Sequence, residues 1–332
     1  MRGDGRAGGA ERASVAEARS GVARLALSFA ATACLAVAAV VASESWFWAR
    51  LRPGDSALGF ASTIVAYGLA VQVVRFVAHR WSVSAEGPGA WRRILLLGAL
   101  YGWLVEGVIV TTVIDDLPFT LTWTGLAWHA LFTVLVGWWW IPRSLDRPAR
   151  GAVWRLGAVG ASVGVWAAFW RFDDGAAISI GEYAAFVGVT TLAYAAGLAG
   201  WWALRVWAAP GLPGSLTAMV LLAALAVLNA IANPLTLVGP ALVGLALVAL
   251  ISTAPRREST PTDAAPAPLA GPTPWRVLGR LAVIPVVATL VFALLTSAPD
   301  AIPTGWLVVG ITAPLGALLF VVAWWGARRH VS

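Results

Sequence analysis

The sequence contains no lysine: all 23 basic residues are arginine. It has one cysteine, Cys34, and three histidines, His79, His129 and His330. Charged residues make up 12% of the chain, about half the share usual in a soluble domain. Each scarcity excludes something. A lone cysteine rules out a disulfide framework and a cysteine-based metal site. Three scattered histidines cannot assemble a polyhistidine metal or haem site inside a membrane. No G-x-x-x-x-G-K-[ST] loop is present, which excludes a nucleotide motor, and no H-E-x-x-H pair, which argues against a zinc protease. A serine triad would have to use His129, and no G-x-S-x-G elbow accompanies it. No metal and no cofactor is expected. The alternation of roughly ten-residue apolar strands that marks an outer-membrane barrel is also missing.

What is present is apolar: 59% of residues are hydrophobic, gathered into long runs separated by short polar gaps. Each run approaches the ~20 residues a helix needs to cross a bilayer. The pattern predicts an all-α fold, a polytopic integral membrane helical bundle with ten spans near 25–43, 57–77, 94–114, 121–141, 153–170, 182–203, 215–232, 235–252, 277–296 and 304–326. Spans seven and eight are parted only by "ANPLTLVGP", where Pro234 and Pro240 interrupt helix hydrogen bonding. Two full crossings and a re-entrant pair both fit that stretch.

Arginine placement orients the spans. With the N-terminus in the cytoplasm, ten crossings put all but Arg50, Arg52 and Arg171 on the cytoplasmic side. Both termini are then inside. The +7 net charge is therefore topogenic and faces the lipid bilayer; no nucleic-acid partner is expected. The arginine-only basic set, with abundant Ala, Gly and Val, predicts a bacterial protein of the cytoplasmic (inner) membrane. Residues 1–22 read as a disordered cytoplasmic arm. Residues 23–252 hold spans 1–8 and a polar outer site. Residues 253–275, "TAPRRESTPTDAAPAPLAGPTPW", read as a Pro-rich cytoplasmic linker, and 276–332 as a C-terminal transmembrane pair.

The chain has 20 tryptophans. Most fall near span ends, the amphipathic zone that indole prefers. Trp103, Trp128 and Trp166 lie deeper, where they serve either bundle packing or the lining of a ligand pocket.

One ionisable pair stands out. Glu106 lies eight residues before Ile114, the outer end of span three, and His129 eight residues after Leu121, the outer start of span four. Both depths are ~12 Å, and the tight turn "DDLPFT" makes the two helices antiparallel neighbours. Gly98, Gly102 and Glu106 recur at four-residue spacing and Gly125 precedes His129 by four, so small residues let the two helices approach closely. An ionisable residue at that depth is costly and marks a functional site by default. The alternative is a hydrogen-bonded pair that fixes the register of one hairpin.

More acids map to the outer side. Asp115 and Asp116 end span three and join Glu106 and His129 as candidate proton- or cation-responsive groups, although a paired aspartate also suits a solvated turn. Asp173, Asp174 and Glu182 form an outer acidic rim, and Glu44 and Asp55 fall on the same side. Ser179-Ile180-Gly181-Glu182 also matches a capping box. Together these acids form an electronegative vestibule that attracts cations. Spans seven to ten carry only Asn229 and Asn233 as strongly polar groups, apart from Arg280 near an end.

Ten spans resemble in number the drug/metabolite transporter superfamily, whose members pair two inverted five-helix repeats. No sequence repeat joins residues 25–170 to 182–326, so the resemblance stops at the count. The leading expectation is a transporter-like or channel-like protein that responds to a small cation or a polar or lipidic ligand. The alternatives are a membrane enzyme acting on a lipid or isoprenoid substrate, with Glu106 or His129 as general acid or base, and a non-catalytic scaffold.

Overall fold

A computed structural model describes residues 5–51, 54–81, 83, 87, 89–173, 178–204, 212–254, 279–297 and 304–329, with side chains undescribed at 5–21, 170–173, 212–213 and 304–308. Every regular element among them is helical. Ten principal helices follow one another: α1 (Gly5–Val40), α2 (Ala57–Arg80), α3 (Ala90–Leu104), α4 (Thr120–Leu145), α5 (Ala149–Asp173), α6 (Ile180–Leu204), α7 (Leu212–Ala232), α8 (Val238–Ser252), α9 (Val283–Thr296) and α10 (Thr304–Arg328). Among the described residues nine stretches are long and apolar enough to cross a membrane, and the protein is a multi-pass membrane protein. The remaining helix, α3, continues without a break into Val105–Ile109 and carries Arg92, Arg93 and Glu106. These three charges, not its length, set it apart from the other nine. Pro234–Leu237 forms a short 3₁₀ turn capped by Asn233 Oδ1, which accepts from Leu235 N at 3.1 Å. On either side, Gly214–Ala232 and Pro234–Ser252 are each long enough to cross.

The helix of α1 begins at Gly5, well inside the stretch whose polarity predicts a disordered arm. Ala, Arg and Glu, all strong helix formers, alternate there with Gly5, Gly8, Gly9 and Gly21, which oppose helix. The Pro-rich stretch lies outside the described residues from 255 onward.

Three stretches among the described residues are wound as π-helix. α1 runs into a π turn at Val41–Ser45 and finishes with Trp46–Trp48. α3 runs into the π turn at Val105–Ile109. Within α4, residues Trp123–Trp140 are wound as a π-helix of 18 residues. π geometry pairs residues five apart and is usually confined to single turns, often at functional sites.

α3 sits centrally, packed on α4, α8, α10 and α2; α1 lies between α2 and α6; α9 packs on α5 and α6. The two C-terminal helices thus take separate places, α9 on α5 and α6, α10 on α3 and α4. Two apolar cores result. One joins α1–α4 with α7, α8 and α10, the other joins the far end of α1 with α4, α5, α6 and α9. Close approach of α3 and α4 needs glycine. A Cβ on Gly98 would stand 2.7 Å from Ala130 Cα, and one on Gly102 would overlap the Gly125 carbonyl. Large apolar residues such as Leu58, Ile231 and Leu294 are exposed, as suits surfaces facing hydrocarbon.

Candidate functional site

The α3–α4 hairpin brings Glu106 and His129 together. His129 Nε2 lies 2.6 Å from Glu106 Oε1, with His129 1% and Glu106 8% exposed. Thr112 Oγ1 donates to the other carboxylate oxygen, while Thr124 Oγ1 donates to the Thr120 carbonyl at 2.9 Å within its own helix. Nδ1 of His129 is 3.4 Å from Thr133 Oγ1. His129 lies on the π-wound stretch of α4, which packs against α3. The π turn at Val105–Ile109 carries Glu106 itself. Asn229 Nδ2 of α7 donates to the Val108 carbonyl at 2.8 Å, satisfying a backbone acceptor of that turn.

A second carboxylate belongs to the same cluster. Glu44, half-buried on the π turn of α1, accepts from Tyr67 Oη at 2.6 Å and from Trp48 Nε1 at 3.1 Å. It interacts electrostatically with both His129 and Glu106. Tyr67 and Tyr101 turn their rings edge-on to His129, with centroids 6.3 and 5.7 Å away. Glu44, Glu106 and His129 therefore all sit on π-wound backbone. A buried carboxylate in contact with an imidazole can hold or pass one proton between them. Tyr67 and Thr112 supply neutral hydroxyl donors to the two carboxylates.

The other candidates disperse. Asp115 and Asp116 are exposed in the α3–α4 connection and do not join the cluster. Glu182 and Ser179 form a reciprocal cap at the start of α6: Glu182 Oε2 accepts from Ser179 N at 2.9 Å, and Ser179 Oγ accepts from Glu182 N at 3.2 Å. The side chain of Asp173, and Asp174 altogether, lie outside the described residues. Trp103 packs on Phe320 at 5.3 Å and donates to the Leu121 carbonyl at 3.1 Å. Trp128 and Trp166 instead line an apolar cavity of about 390 Å³ between α4, α5 and α10. Trp128 separates this cavity from the cluster. It stacks on His129 at 6.3 Å and donates its indole N–H to the Ser43 carbonyl, next to Glu44.

Arginine bias concealed a second polar group. Arg75 is buried, with 8% exposure, and donates to Ser28 O at 3.2 Å, to Thr32 Oγ1 and to Gln72 Oε1 at 3.3 Å. Thr32 donates to Gln72 Oε1 at 2.7 Å, Gln72 Nε2 to Ser215 Oγ at 3.2 Å, and the Trp201 ring covers the guanidinium at 4.8 Å. Residues at i, i+4 on α1 (Ser28, Thr32) and i, i+3 on α2 (Gln72, Arg75) carry a periodicity that marks an inward stripe. For Glu44, the nearby Tyr67 and Ser-Glu-Ser context gives no comparable sequence signal. No known protein family, curated protein or solved structure matches the chain.

Proposed function

We propose that the protein is a proton-responsive membrane transport protein whose working group is the Glu106–His129 pair, with Glu44 as a second carboxylate. The reading rests on one observation above all: a carboxylate and an imidazole in direct contact, both buried within spans, where ionisable groups are costly and mark proton or ion pathways. Proton gain at this pair changes the charge of a cluster that joins α1, α2, α3 and α4, so protonation bears on how those helices pack. The exposed Asp115 and Asp116 contribute at most a diffuse field that attracts cations. We further assign the protein to a bacterial cytoplasmic membrane with both termini inside, on the arginine distribution.

Infrared difference spectroscopy of the reconstituted protein tests the proton site. A carboxyl band should appear and vanish with pH in the wild type and be missing in Glu106→Gln. Proteoliposomes enclosing a pH-sensitive dye test transport: wild type should dissipate an imposed pH gradient faster than Glu106→Gln. Equal rates with a titrating band would separate the proton site from transport.

A second reading, an enzyme acting on a lipid or isoprenoid substrate, is favoured by the aromatic cavity one side chain away from His129. There His129 acts as general base and Trp128 sits between substrate and imidazole. Turnover of an added lipid that disappears in His129→Gln while the pH gradient persists would select it.

A further inference from the structure

The cavity between α4, α5 and α10 has no part in the proton-responsive reading. We infer that it is a binding site for one hydrocarbon chain of a membrane lipid. Its depth comes first. Phe47 and Trp123 stand within three residues of the ends of their helices, whereas Phe132 and Ser162 lie twelve residues after Thr120 and eleven before Asp173. Along α5, a regular α-helix, ~1.5 Å per residue puts Ser162 ~16 Å inward from Asp173, the depth of about one leaflet of a ~30 Å hydrocarbon core.

Its mouth comes second. Ser162 on α5 and Ile311 on α10 both line the cavity and both are exposed, Ile311 by 61%. α5 and α10 pack against one another, and Ser162 and Ile311 lie eleven and seven residues inside the nearer ends of their helices. At that depth the opening between the two helices faces bilayer hydrocarbon, not water, and the molecules that reach it are lipid chains.

Its chemistry comes third. Phe47, Trp123, Trp128, Phe132 and Trp166 are five of the eleven lining residues, none of which is ionisable. Two hydroxyls, of Ser162 and Thr312, are the polar side-chain groups other than indole N–H on the wall, and that of Ser162 is already committed to Ala158 O at 3.0 Å. The indole N–H of Trp166 is itself buried, so the ring presents carbon to the cavity. The volume falls in the ~300–1,000 Å³ range of ligand sites and suits one chain. The ring clusters, such as Phe47 on Trp128 at 4.8 Å and Trp128 on Trp166 at 5.3 Å, hold the wall in shape.

The test uses the full chain in vesicles of phosphatidylcholine containing a phosphatidylcholine with a photoreactive diazirine midway along one acyl chain. After illumination, peptide mass spectrometry locates the adducts. The expected result is enrichment on the cavity walls of α4 and α5 over Val189 and Leu192 of α6, which are 66% and 71% exposed and serve as ordinary lipid-facing controls. Ala127→Phe fills the cavity, and Ser162→Trp obstructs the mouth from an exposed position that leaves the core intact. Each should cut wall labelling to about a tenth while labelling of Val189 and Leu192 stays unchanged. Glu106→Gln should label as wild type, which separates this site from the proton reading. Uniform labelling of wall and controls, or unchanged wall labelling in a natively eluting Ser162→Trp protein, would overturn the assignment.

Discussion

Two buried polar clusters hang on the same pair of helices and are built differently. Toward one end of α1 and α2 lie Ser28, Thr32, Gln72 and Arg75, on regular α-helix, where a single cation is surrounded by neutral oxygens. Toward the other end lie Glu44 and Tyr67, joined to His129 and Glu106, where the acids and the imidazole all sit on π-wound backbone. The first is a fixed arrangement, because guanidinium stays charged and amide and hydroxyl groups do not titrate. The second brings together two carboxyl groups and an imidazole, side chains that exist in both protonated and deprotonated forms. On the proton-responsive reading proposed above, the first cluster holds helices together and the second changes their relationship.

The largest expected effect breaks the second cluster. Glu106→Leu leaves His129 buried without its partner and should lower stability by about 3–5 kcal/mol, measured as thermal unfolding in detergent. Adding His129→Leu should restore much of that loss, since the orphaned group is gone. Strictly additive losses would dissolve the pair as an energetic unit. Glu106→Gln should be mild in stability, and its difference from wild type should vary with pH.

Gly102→Ala addresses what permits the pair. The new methyl meets the Gly125 carbonyl, so α3 and α4 must part, at a cost of about 1–3 kcal/mol; the same assay should also show the carboxyl infrared band weakened or shifted. In the first cluster, Gln72→Leu removes hydrogen bonds to Thr32, Arg75 and Ser215 and should cost about 1–2 kcal/mol. Its melting-temperature difference from wild type should be the same at every pH where the protein stays folded. A pH-dependent difference there would erase the contrast between the clusters. The smallest effects fall outside both. Ser179→Ala removes the α6 cap and should cost about 1 kcal/mol, while Asp115→Asn with Asp116→Asn should stay within ~0.5 kcal/mol and leave the pH gradient assay unchanged.

Counting residues from the two ends of one hairpin was enough to bring Glu106 opposite His129, because a tight connection ties depth to sequence distance. The Gly98, Gly102 and Gly125 stripe was legible for the same reason. Glu44 was not: its position near the end of an apolar run reads as a rim acid, and only the π turn at Val41–Ser45 swings it toward Tyr67. Periodicity arguments assume 3.6 residues per turn, so a helix wound otherwise along 18 residues misdirects them. Depth alone also grouped Trp103 with Trp128 and Trp166, although Trp103 faces α10 and the other two face the cavity. Arg75 was counted as topogenic because a charge bias registers loop and span-end arginines alike and does not register which way one points.

Arg280, just ahead of α9, donates from one guanidinium nitrogen to the Leu145 and Arg147 carbonyls at 2.6 and 2.8 Å, closing the open end of α4. Helix ends offer free carbonyls to such a cation, and α9 adds its apolar face against α5 and α6. The seat of α9 is thus defined by surface fit, whatever the path of the peptide that leads to it. A chain made as two polypeptides, divided between Arg256 and Arg257, should reassemble when both halves are co-expressed and elute as one particle, and Arg280→Ala should weaken that reunion more than it weakens the unbroken protein.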